Sequence, residues 1–290
     1  MKLMFVLGVL LIFGLRQNRL SLMDSLQAMD PDRTTDSKNS GMDFSKITKY
    51  QIFYGTLSEK IIEDMKTSYQ LVILDSLYVS PAHIESLQSA GVLVYGYISL
   101  GDIESSDLYF LHKIKPGDYL MVDGKRVHSG WNDMGDIRKT HYKSLLMENI
   151  QRRIIDKGFD GVFFDTIEYY EDTSLAGGPK NSEELVAETI QFIKKVKATY
   201  PGLSLFQNRG FKILDQGSKT YVDSVLYEDF DANNQSADYQ EIKKIINNSG
   251  VQCFVHTYSA ESIQEETALA MGWKFLKTTQ DDNYQVYRFD

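Results

Sequence analysis

Between Lys49 and Thr278, short apolar runs alternate about eight times with longer stretches of helical spacing. This repetition is the feature that most constrains the fold. Strands joined by a helix must point the same way, so the pattern predicts a parallel sheet, and at this length a closed (β/α)8 TIM barrel in a single domain. A doubly wound open sheet is the alternative, but no glycine-rich dinucleotide fingerprint follows the first strand. The strands are expected at Tyr50 to Tyr54, Leu71 to Leu74, Val92 to Ile98, Met134 to Ile137, Val162 to Asp165, Ser204 to Asn208, Asp223 to Glu228, Val251 to Thr257 and Lys274 to Thr278. Tyr287 to Phe289 is expected to pair with the last of these. Between them, helical spacing is clearest over Ser58 to Lys66, Pro81 to Gly91, Lys139 to Lys157, Asn181 to Tyr200 and Ala260 to Met271.

The chain has 290 residues, 42% of them hydrophobic, enough for one large core. Its net charge of −9 argues against nucleic acid or an anionic membrane surface as partner. Met1 to Leu15 carries one lysine and then an apolar run too short to span a bilayer, which fits a signal-peptide core. Residues 1–20 are therefore expected to be a signal peptide or a retained N-terminal anchor, residues 21–45 a polar linker, and residues 46–290 the catalytic domain. This places the protein outside the cytoplasm, secreted or at the cell surface, touching a membrane only through that anchor. Cys253 is the only cysteine, so no disulfide forms within the chain.

Candidate chemistry sits at strand ends. Gly161-Val-Phe-Phe-Asp165 is a doubly buried strand ending in acid, and Asp223 to Glu228 repeats that shape. Taken alone, Asp165 reads equally well as the cap of the following turn. Two carboxylates at the C-terminal ends of parallel strands are what glycoside hydrolysis requires, one acid and one base or nucleophile. Asp75, Asp102 and Asp136 fall at or near strand ends too, where they suit sugar hydroxyls or an ammonium, or equally a cap or a partner for Arg138. Tyr54, Tyr97 and Tyr258 are candidates for stacking on sugar faces, Gln207 and Asn208 for binding hydroxyls. Asp229 follows Glu228 and, if the strand alternates, faces away from it. Glu168 is likewise set aside. The histidines, His83, His112, His128, His141 and His256, show no ligand spacing, so no metal is expected. No serine elbow or cysteine motif is present.

Tyr97-Ile-Ser-Leu-Gly-Asp102, Asp136-Ile-Arg138, Gly158-Phe-Asp-Gly-Val-Phe-Phe-Asp165, Gln207-Asn208 and Asp223 to Glu228 occur in the order found in glycoside hydrolase family 114, which the chain resembles from about Tyr50 to Phe289. That resemblance implies a (β/α)8 barrel, no cofactor, and endo-cleavage of partly deacetylated α-1,4-galactosaminoglycan with retention. Asp165 is then the expected nucleophile and Glu228 the acid/base. The implied partner is a cationic or partly acetylated amino-sugar polysaccharide, such as a biofilm matrix, bound by a monomer. One departure is Gly101-Asp102, where the family often has Gly-Glu. A barrel acting on another glycan, or a catalytically silent glycan-binding barrel, are the competing readings.

Overall fold

The computed structural model describes residues 43–278 and 284–289. The expected leader and nearly all of the polar linker lie outside the described residues. Eight parallel strands form one sheet: β1 (Tyr50–Phe53), β2 (Leu71–Asp75), β3 (Leu93–Ser99), β4 (Gly161–Asp165), β5 (Ser204–Asn208), β6 (Ser224–Tyr227), β7 (Gln252–Thr257) and β8 (Lys274–Lys277). Each pairs in parallel with the next in chain order. The sheet curls until β1 and β8 are neighbours, giving a nearly closed (β/α)8 barrel. Among the described residues no ladder joins those two edges; beside them Tyr54 donates its N–H to the Tyr284 carbonyl at 2.8 Å.

The connecting helices are α1 (Glu59–Ser68), α2 (Pro81–Ser89), α3 (Thr140–Ile150), α4 (Pro179–Thr199), α5 (Phe211–Gln216), α6 (Ala237–Ser249) and α7 (Ser262–Ala270). Ser58, Ser80 and Ser236 cap α1, α2 and α6 by accepting from the third helical N–H. Short α5 carries no helical signal in the sequence reading. None of these helices is long and apolar enough to cross a membrane.

Strand side chains alternate between the barrel interior and the helical layer. The interior set is Tyr50, Ile52, Leu71, Ile73, Tyr95, Phe163, Phe206, Leu226, Phe254 and Leu276. Phe44 and Ile47 close its floor. Bulky Tyr95 faces Gly161 and Ser204, and donates its hydroxyl to Ser204 Oγ at 2.7 Å. Small residues there are a steric necessity, because the neighbouring interior positions hold large rings.

The connection from β3 to α3 is a long excursion, residues 100–139. Its hairpin, Met121–Val122 with Lys125–Arg126, turns through Asp123 and Gly124 at positive φ (50° and 73°), as a two-residue hairpin turn requires. The strand expected at Met134 to Ile137 does not form. Single bridges pin this segment instead, Asp102 to Met134 and Tyr119 to Gly135. Nor does Tyr287 to Phe289 pair with β8; the Tyr287 ring packs edge-on against Phe53 and its hydroxyl donates to Asp64. Both segments are apolar enough to read as strands, but isolated bridges hold the first and ring packing the second.

A Cβ at Gly161 would lie 2.2 Å from the Tyr95 ring and 2.8 Å from the Ser204 carbonyl. Gly161→Ala is expected to destabilise the protein by roughly 1–3 kcal/mol through overpacking, read as a lower urea midpoint with an unchanged m-value.

Candidate active site

The interior parity continues past the packed layer to the barrel mouth. Two residues beyond Phe163, Phe206, Leu226 and Phe254 stand Asp165, Asn208, Glu228 and His256. They gather at the C-terminal ends of the strands, where barrel enzymes place their chemistry. A cleft of about 680 Å³ opens above them.

Asn208 sits between the two acids. Its amide nitrogen donates to Asp165 Oδ1 at 2.7 Å and to Glu228 Oε2 at 3.0 Å. Two carboxylate acceptors dictate the amide's orientation, since only the NH2 end can donate. Sharing one donor nitrogen, the two acceptor oxygens can be no more than about 5.7 Å apart. Burial first, and then the charge of Glu228, push the Asp165 carboxyl up to about 6. Two acids this close hold one proton between them more cheaply than none.

Glu228 is held from its other side. Tyr284 donates its hydroxyl to Glu228 Oε1 at 2.6 Å and lies 3.1 Å from His256 Nδ1. His256 Nε2 in turn meets Thr278 Oγ1 at 2.7 Å. Arg209 Nε lies 3.6 Å from Glu228 Oε2, and its guanidinium also pairs with Asp229. Arg209 and Asp229 both adopt left-handed φ (47° and 57°). That twist corrects the expectation for Asp229: regular alternation ends at Tyr227, so Asp229 lines the cleft beside Glu228 instead of facing away.

Thr166, just after Asp165, is β-branched yet has φ 62°, a strained conformation of the kind concentrated at functional sites. Hydrogen bonds hold it there. Its hydroxyl meets Ser99 Oγ at 2.7 Å and accepts the Gly101 and Asp102 N–H groups at 2.8 and 3.2 Å. A Cβ at Gly101 would approach the Thr166 carbonyl to 2.5 Å, so only glycine permits this contact.

The remaining expected residues divide. Tyr54, Asp75, Tyr97, Asp102 and Tyr258 line the cleft. Tyr54 packs against Tyr97 and Tyr284 with ring centroids 4.8 and 5.5 Å apart, forming an aromatic wall. Asp75 is shared, since its carboxylate also pairs with buried Arg153 at 3.2 Å. Arg153 comes from a π-helical turn, Gln151–Ile155, that extends α3. Asp136, Arg138 and Gln207 do not line the cleft. Asp136 and Arg138 pair with each other at 2.8 Å under the excursion. Gln207 lies one residue off the interior parity, and its amide donates to the carbonyls of Arg209 and Gly210.

Residues not singled out beforehand also line the cleft. Glu104 is pushed up to about 7 by burial, against the pull of Arg153. Glu168, set aside earlier, is pushed up to about 8 by burial and then by the Asp165 charge. Parity from Phe254 could have pointed to His256, but nothing local marks Tyr284, which follows the last strand. Among the described residues no group of three or more acidic, His or Cys side chains is arranged to hold a metal ion.

Residues 31–284 match the model of glycoside-hydrolase family GH114. The chain belongs to glycoside-hydrolase family GH114. It is a glycoside hydrolase. No curated protein matches the chain in sequence. Among solved structures it is similar to the glycoside hydrolase domain of PelA from Pseudomonas aeruginosa, with 17% identity, TM-score 0.65, and coverage of 80% of this chain and 94% of that one. It is also similar to Aspergillus fumigatus Ega3 in complex with galactosamine, with 18% identity, TM-score 0.58, and coverage of 80% and 90%. The galactosidase domain of the α-galactosidase–sucrose kinase AgaSK shares the barrel at 15% identity and TM-score 0.54, covering 81% of this chain and 38% of that one.

Two predictions follow from this GH114 site. Because Asp165 sits near 6 in the fold, against 3.8 when unperturbed, the folded chain binds a proton there that the unfolded chain releases first. The stabilising protonated form is complete below about pH 4, and stability from this group falls as pH rises through 6. Asp165→Asn is therefore expected to raise the melting temperature at pH 8 and to lose that gain near pH 4, measured by calorimetry across pH. Tyr284→Phe removes a hydrogen bond to a charged group, worth roughly 1.5–3 kcal/mol. A fall in kcat/KM of about ten- to a hundredfold is expected, with the fold intact by circular dichroism.

Proposed function

We propose that this GH114 barrel is an exported, retaining endo-glycosidase. Its substrate is α-1,4-linked galactosaminoglycan, a partly deacetylated N-acetylgalactosamine polymer of an extracellular matrix. The observation that carries this reading is the single Asn208 amide joining Asp165 to Glu228. A separation capped at about 5.7 Å is compatible with retaining enzymes, at roughly 5–5.5 Å, and falls short of the roughly 6.5–9.5 Å by which inverting ones admit a water.

In this reading Asp165 attacks the anomeric carbon while Glu228 gives its proton to the departing glycosidic oxygen. The C–O bond breaks and a glycosyl ester forms on Asp165. Water then enters, Glu228 takes one of its protons, and hydroxide displaces Asp165 with a second inversion. This start requires the pair's one proton on Glu228, whereas before substrate binds, burial and the Glu228 charge favour it on Asp165; substrate binding must move it across. Tyr284 serves Glu228 in both halves, since a phenol can donate to the carboxylate and accept from the acid.

The substrate class rests on charge. Asp75, Asp102 and Asp229 line the cleft with the two central acids, Glu104 and Glu168 add carboxyls that burial holds at about 7 and 8 and that charge only at higher pH, and Arg209 is the one basic side chain among the described lining residues. Such a field favours a polymer bearing free ammonium groups. Ega3, which shares the barrel, was solved with galactosamine. The apolar run over Leu3 to Leu15 supports export.

The test is incubation of purified protein with partly deacetylated α-1,4-galactosaminoglycan, with proton NMR of the first product. Oligosaccharides with an α-anomeric reducing end are expected from wild type, and at least about a thousandfold less from Asp165→Asn or Glu228→Gln. A β-anomeric first product would establish inversion and remove the nucleophile role of Asp165. An inactive Glu168→Gln beside an active Glu228→Gln would transfer the acid role to Glu168.

A further inference from the structure

The excursion between β3 and α3 holds an indole over the rim of the cleft. Trp131 is 66% exposed, whereas the chain's other tryptophan, Trp273, is 4% exposed. Of the two indoles, only this one is open to a ligand in the cleft. This one is carried by a tightly tied turn. Ser129 Oγ accepts the N–H groups of Trp131 and Asn132 at 3.2 and 3.3 Å, and Ser129 N–H donates to the Asn132 carbonyl at 3.0 Å. The Gly130 N–H donates to His128 Nδ1 at 3.0 Å.

The turn is anchored on Asp102. Ser129 donates its hydroxyl to Asp102 Oδ2 at 3.0 Å, and the Asn132 amide reaches the same oxygen at 3.5 Å. The Asp102 N–H is in turn bonded to Ser99 Oγ at 2.9 Å. Asp102 is 4% exposed, and its other oxygen, Oδ1, has no hydrogen-bond partner among the described residues. Asp102 and Trp131 line the same cleft as Asp165. One oxygen therefore builds the turn, and the other is left to read a ligand. A buried acceptor in an acid-lined cleft is matched by a cationic donor.

We propose that Trp131 and Asp102 form a remote sugar-binding subsite that takes one hexosamine unit of the polymer. The apolar face of the pyranose stacks on the indole, and its ammonium donates to Asp102 Oδ1. The subsite rests on the glycosidase reading above and deepens it. Its offset from the cleavage point is rigid, because the Thr166 hydroxyl that accepts from Asp102 belongs to the residue after Asp165. A cleft of about 680 Å³ has room for more than one ring. The subsite thus makes affinity depend on chain length and on deacetylation at one fixed position.

The chain's two tryptophans give a direct readout. Acrylamide quenches Trp131 and not buried Trp273. In the Glu228→Gln protein, titrated with galactosamine oligosaccharides of four to six units, saturation is expected to protect the exposed indole and shift its emission to the blue. Trp131→Ala is expected to weaken oligosaccharide binding about tenfold by calorimetry and to raise KM on the polymer, leaving kcat within about twofold. Asp102→Asn is expected to weaken the free-amine oligosaccharides several-fold and to leave fully N-acetylated ones unchanged. Oligosaccharides that bind and are cleaved while the indole stays quenchable would overturn the subsite and leave the glycosidase reading standing. So would Trp131→Ala and Asp102→Asn proteins that both keep the wild-type KM. A wild type that neither binds nor cleaves them overturns the substrate reading, and the subsite with it.

Discussion

The two-residue alternation of the barrel strands is the constraint on which everything else rests. Every second side chain of β4, β5, β6 and β7 points inward, and the ring layer of Phe163, Phe206 and Phe254 fills the bore. Because the bore is full, the next inward position on each strand can only emerge at the mouth. Asp165, Asn208, Glu228 and His256 are brought together by that geometry before any hydrogen bond acts between them. Packing in the middle of the barrel therefore aims the chemistry at its end.

The polar contacts then refine what alternation brings close. Asn208 sets the spacing of the acids, Tyr284 steadies Glu228, and Thr166 accepts an unfavourable backbone so that Gly101 and Asp102 can lie against it. Burial works against ionisation throughout the cleft. The raised Asp165, Glu104 and Glu168 carboxyls all have desolvation as their leading cause. The site is thus a region where folding free energy is sacrificed to hold acids that water would prefer to solvate.

Much of this was legible in the residues. Short apolar runs marked the eight barrel strands and one more, Met134 to Ile137, that does not form; acids at two strand ends drew attention to Asp165 and Glu228. Counting two from Phe206 would also have separated Asn208 from Gln207, because strand parity is a local property. Other features were not local. Asp136 and Arg138 sit in an excursion with no period, so their mutual pairing could not be told from a role in the cleft. Asp229 escaped because the left-handed backbone that re-aims it interrupts the strand alternation from which its direction was read. Tyr284 escaped because it reaches Glu228 across 56 positions of chain.

That last contact has a bearing on the life of the molecule as it is made. Synthesis runs from the N-terminus, and domains tend to fold as their residues emerge. Both acids are in place long before Tyr284 is added, yet the hydroxyl that steadies one of them comes after β8, the final strand. A partly synthesised or C-terminally clipped barrel would hold the acids without that support.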